Sequence, residues 1–149
     1  MTRKTFVKAL IGIPIATAVR LIAETPTIQV FKTPTCGCCG NWVKHLQANG
    51  FEVSVEDVPD TGVYRRKYGV PEKLLSCHTG FIDGYALEGH VPAAEIHRLL
   101  EDRPRAKGLA VPGMPMGSPG MEGPVNQAYS VILFDGEGRM SVYKSYPGK

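Results

Sequence analysis

Apolar residues along this chain switch between two spacings, and the switch points mark its predicted elements. Thr27-Ile28-Gln29-Val30-Phe31 is β-favourable and stops at Thr33-Pro34. Trp42, Val43 and Leu46 then recur at helical spacing until Asn49-Gly50 supplies a C-terminal stop. Phe51-Glu52-Val53-Ser54-Val55 alternates, as a half-buried strand does. A short helix is predicted over 64–68, closed by Gly69. Strand-like runs near 79–82 and 85–87 flank Asp83-Gly84, a strong hairpin signal. Residues 93–100 return to the helical period, with Ile96, Leu99 and Leu100 on one face. Two further strands, over 129–134 and 139–143, flank Asp135-Gly136-Glu137-Gly138 and predict a second hairpin.

Strand, helix, strand, helix, hairpin, helix is the order of a minimal thioredoxin-like domain. The expected fold is therefore α/β and thioredoxin-like, with an additional C-terminal β-hairpin and a Pro/Gly/Met-rich loop. In that arrangement the first strand feeds the first helix by a right-handed crossover, and the turn between them lies at the sheet's carboxyl edge. The loop runs from 112 to 124, where eight of thirteen residues are Pro or Gly and Met114, Met116 and Met121 sit among them. Such a stretch is neither helix nor central strand. No internal repeat is visible.

The start of the chain reads as an address. Basic Arg3, Lys4 and Lys8 precede an apolar stretch from 9 to 19, too short to span a bilayer but the size of a signal peptide's hydrophobic region. Ala16-Thr17-Ala18 offers small residues for cleavage. The run 2–8 resembles a twin-arginine signal with Lys4 in place of the second arginine. An amphipathic first helix is the competing reading, and Gly12 and Pro14 argue against it. The expected organisation is an export signal over 1–24 and one domain over 25–149. With 43% hydrophobic residues the chain suits a single core. A net charge of +3 without a basic, aromatic-studded stripe excludes nucleic acid as a partner, and no membrane partner is expected once the signal is removed.

Four cysteines are too few for a disulfide scaffold, and three of them, Cys36, Cys38 and Cys39, fall within four positions at the expected strand-to-helix turn. The helix dipole and unpaired amides there favour thiolate, the form that binds metal and attacks disulfides. Gly37 and Gly40 are expected to let the backbone turn tightly. A Cys36–Cys39 disulfide with Cys38 as a small buried hydrophobe is the bland alternative, and it leaves an odd thiol unexplained. Cys77-His78 opens the first strand of the inner hairpin and His90 follows the second, so both ends can approach the turn. Thiolates with imidazole fit Cu(I), Zn(II) or an iron–sulfur cluster. Thioether sulfur from Met114 and Met116 tilts the choice to Cu(I). Met121 is read as a gap filler, and His45 and His97 as surface residues.

Four stretches together resemble a known family. Thr33 to Val43 (TPTCGCCGNWV), Ser76 to Thr79 (SCHT), Glu88 to Ala93 (EGHVPA) and Gly113 to Glu122 (GMPMGSPGME) are similar, in this order, to the CopG-type periplasmic copper-resistance proteins, a cysteine-rich thioredoxin-like family. The similarity spans roughly residues 28–146. It implies a periplasmic protein of copper tolerance that binds one or several copper ions bridged by cysteine sulfur and interconverts Cu(I) and Cu(II). Cys36, Cys39 and Cys77 are then the principal ligands, with Cys38 bridging or peripheral, His78 and His90 the imidazole candidates, and Met114 and Met116 the thioethers. Copper ions and other periplasmic copper-handling proteins are the expected partners. A second function is thiol–disulfide exchange, with Cys36 as nucleophile and Cys39 as resolving thiol. A third, a cytosolic iron–sulfur or zinc module, is disfavoured by the export signal.

Overall fold

The computed structural model describes residues 26–149; the expected export signal lies outside them. Among the described residues the chain runs β1 (Ile28–Lys32), α1 (Gly37–Ala48), β2 (Val53–Asp57), α2 (Gly62–Lys67), a 3-10 turn (Glu72–Leu74), β3 (Thr79–Ile82), β4 (Tyr85–Glu88), α3 (Ala93–Asp102), β5 (Gly108–Ala110), β6 (Tyr129–Phe134) and β7 (Met140–Tyr146). This is a mixed α/β fold. The strands form one sheet in the order β2-β1-β3-β4-β5-β6-β7.

Parallel β1 and β2 are joined through α1. Asp83 and Gly84 close the antiparallel β3–β4 hairpin with φ of 47° and 91°, the paired positive values that a two-residue hairpin turn needs. Parallel β4 and β5 are joined through α3, and β6–β7 is the predicted C-terminal hairpin. The apolar stripes of both long helices meet the sheet. Trp42 and Leu46 of α1 and Ile96 and Leu99 of α3 are fully buried with Ile28, Val30, Leu87 and Leu109. Each such buried aliphatic side chain contributes roughly 1.5–3 kcal/mol relative to leaving it exposed.

Two features depart from the sequence pattern. The alternating run at Phe51 becomes an edge strand that is mostly exposed: Val53 reaches the core, but Val55 is 43% exposed. An edge strand has one hydrogen-bonded neighbour and lies at the margin of the cover that helices provide. The second is β5, three residues with no periodicity of their own, which is held from both sides by β4 and β6. Gly108 is required there, because a Cβ would collide with the Ala86 carbonyl on β4.

Candidate metal and redox centre

The sheet delivers two groups of side chains to one place. The first grows from the start of α1. Cys36 occupies the N-cap position with extended backbone and no side-chain cap, and no acidic residue sits in the first turn. The positive end of the helix therefore faces sulfur rather than a capping oxygen. Cys36 and Cys39 form a disulfide, with Cα atoms 5.4 Å apart. Cys39 is fully buried and Cys36 half-buried. Cys38 keeps a free thiol 3.6 Å from the Cys36 sulfur. Gly37 and Gly40, expected to serve a close approach, are ordinary helical positions where an added Cβ would meet nothing within 4 Å.

The second group comes from the two ends of the β3–β4 hairpin. Register pairs Thr79 with Glu88, so the residues just outside that pair converge: Gly89 N–H donates to the His78 carbonyl at 3.0 Å. Cys77 Sγ lies 3.2 Å from His78 Nδ1 and 3.2 Å from His90 Nε2. His90 donates from Nδ1 to the Pro119 carbonyl at 2.7 Å, which leaves the Nε2 lone pair facing Cys77. His78 is fully buried, lies 4.3 Å from the Trp42 ring, and its Nε2 has no hydrogen-bond partner. Burial pushes its pKa down to about 3, with His90 adding to the fall, and burial lowers His90 as well. Both rings are thus neutral at ordinary pH, the state that binds metal. Burial first, and Cys38 second, push the Cys77 thiol up to about 12.

The sulfurs of Cys36, Cys38, Cys39 and Cys77 all lie within 4.8 Å of one another, and so do the ligating atoms of Cys77, His78 and His90. Cys77 belongs to both groups. Such a donor set suits a soft or borderline ion once the thiols are reduced and deprotonated.

A family model described as "Protein of unknown function, DUF411" matches residues 74–121, which carry Cys77, His78, His90 and the three methionines of the loop. Two solved structures, "Copper resistance protein copG- Form 2" and "Form 1", are each 48% identical to this chain with a TM-score of 0.79. They align over 83% and 84% of this chain and 100% of their own. The chain belongs to the CopG family. No curated protein matches it.

In this CopG relative the two groups are held by residues to which the sequence reading gave no role, although all but Arg65 lie within its motif stretches. Glu88, fully buried on β4, accepts from Ser76 N–H at 2.9 Å, Thr79 Oγ1 at 2.7 Å and Arg65 Nε at 3.0 Å. It therefore clamps the chain on both sides of Cys77-His78. Burial raises its pKa, opposed by those three donors. A glutamate directly ending an apolar strand run was the available signal, since a charge carried into the core there demands partners. The loop covers the other side. A Cβ at Gly120 (φ +89°) would come within 2.8 Å of Cys38 O and Trp42 N and 3.1 Å of His90 Nδ1, so only glycine lets the loop settle there.

Of the expected ligands, the four cysteines, His78 and His90 are brought together. Met114 is 51% exposed, and its neighbour Gly113 is tied to the Cys77 segment by N–H to the Leu75 carbonyl at 3.0 Å and by a bond from Ser76 Oγ. Met116 is half-buried, with its backbone paired to Gln127 at 2.9 and 2.8 Å. His45 is not a simple surface residue. Its Nε2 accepts the Ala93 N–H at 3.0 Å and caps α3. His97 is exposed, stacked on Phe51.

Proposed function

We propose that this chain is an exported copper-binding protein of copper resistance that interconverts Cu(I) and Cu(II) at a cysteine-bridged site. The observation that carries this is the sharing of Cys77 between a four-sulfur group and a pair of imidazoles. Thiolates favour Cu(I), whereas imidazole nitrogen keeps Cu(II) accessible, so one sulfur common to both sets serves an ion in either state. Cys36, Cys38, Cys39, Cys77, His78 and His90 would hold copper, and Met114 and Met116 would supply thioether sulfur or shield it from water. Membership of a family whose solved structures are described as copper resistance proteins supports the choice of ion.

We read β1–α1–β2 with its Cys-x-x-Cys helix start, the β3–β4 hairpin and α3 as a thioredoxin-like core, extended by β5–β7. Residues 1–24 would direct export to the periplasm, where other copper-handling proteins are the natural partners. Among the described residues no helix is long and apolar enough to cross a membrane.

Metal analysis of protein purified from its native compartment tests the proposal. Copper should be bound, and Cys36→Ser or Cys39→Ser should remove most of it; unchanged copper content in both variants rules the site out.

The disulfide between a buried Cys39 and an accessible Cys36 favours a second function, thiol–disulfide exchange. Efficient reduction of a model disulfide by a protein that retains no copper would establish it instead.

A further inference from the structure

The two thiols that close into a disulfide are also half of the four-sulfur group. In one state they are ligands, and in the other they are bonded to each other and offer no thiolate. Two free thiols, Cys38 and Cys77, persist in the disulfide state, and Cys77 lies beside His78 and His90.

We propose that the Cys36–Cys39 pair is the electron store for copper reduction, so that closing the disulfide turns two Cu(II) into two Cu(I) and lowers the site's hold on the product. This rests on the copper reading above. The step balances within the site. The S–H bonds of Cys36 and Cys39 break, one S–S bond forms, two protons leave to solvent, and each of two Cu(II) takes one electron. Closure withdraws two of the four sulfur ligands. The Cu(I) product is left with Cys38, Cys77 and the imidazoles, a weaker set for a soft ion, and is easier to pass on.

Resetting the pair takes two electrons and two protons from a dithiol protein. That partner's thiolate attacks Cys36, the accessible sulfur, and Cys39, buried behind it, leaves as the thiolate. The mixed disulfide is then resolved by the partner's second thiol, which carries the disulfide away.

The test uses the full chain, reduced, freed of reductant and kept anaerobic. Cu(II) is added with a chromogenic Cu(I) chelator, and surviving thiols are alkylated and mapped by mass spectrometry. About two Cu(I) per chain are expected from the two-electron couple. Thiols should be lost at Cys36 and Cys39 alone, with Cys38 and Cys77 alkylated. Loss at Cys38 or Cys77 instead overturns the proposal. So does copper uptake that leaves all four thiols reactive, although copper binding itself then stands. A reduced chain that takes up no copper at all overturns both.

Discussion

His90 Nε2 faces Cys77 Sγ at 3.2 Å, on a ring whose other nitrogen is already committed to the Pro119 carbonyl. The loop therefore sets the tautomer of an imidazole that belongs to the hairpin. Cys77 is in turn the one side chain common to both groups of donors. Replacing it with serine should cost more copper than replacing Cys38, because both groups lose a sulfur at once. Chelator competition on the two variants measures the order, and an equal or reversed ranking would show that copper does not depend on Cys77 as a donor shared by the two groups.

Burial of His78 makes the metal-free protein sensitive to mild acid. The folded ring titrates at about 3, the unfolded one near 6.5. Between those limits the unfolded chain binds the extra proton. The stabilisation is complete above about 6.5 and is lost as pH falls towards 3, by up to about 1.4 kcal/mol per pH unit. His90 and His45, both lowered by burial, act in the same direction. Urea unfolding at about pH 7 and pH 5 should show the loss, and His78→Phe should reduce it. An identical slope in the variant would assign the effect elsewhere.

Glu88→Ala should be among the most damaging changes outside the sulfur cluster. It leaves the buried Arg65 guanidinium with only the exposed Glu72 carboxylate, 4.0 Å away, and orphans the Ser76 amide. A broken buried pair costs about 3–5 kcal/mol, readable as a shifted denaturation midpoint. Glu88→Gln keeps an acceptor and should lose less.

Glycines in and around the site should behave in opposite ways. Gly120→Ala places a methyl against the α1 backbone and in a left-handed conformation, so the loop should lift and Cys38 should alkylate faster. Gly40→Ala sits in a helix with open space around it. It should stabilise by about 0.5–1 kcal/mol without changing that alkylation rate. Equal alkylation rates for the two variants would show that the loop does not cover the thiols.

Met114→Ala combined with Met116→Ala should weaken copper retention by about 10–100-fold, the usual scale for residues that support a metal site, while circular dichroism stays unchanged. Retention equal to the parent would make the loop a structural cover.

Much of this protein was legible without coordinates, because the signals were local. The spacing of Trp42, Val43 and Leu46 announces α1, and Asp83-Gly84 announces the β3–β4 turn, since each reports a backbone preference of a few neighbouring residues. Three cysteines in four positions likewise mark the site by chemistry alone. What tertiary structure decided has no local signature. The strand β5 exists only because β4 and β6 offer it partners, and the exposure of Val55 follows from the place of β2 at the margin of the sheet. Ser76, lying between the 3-10 turn and β3, meets Glu88 only because the hairpin folds back and brings Arg65 of α2 against it. Cys77 became the shared donor for the same reason. A hydrophobic period records which face of an element is apolar, but only packing brings distant residues together, and the site is made of distances between elements.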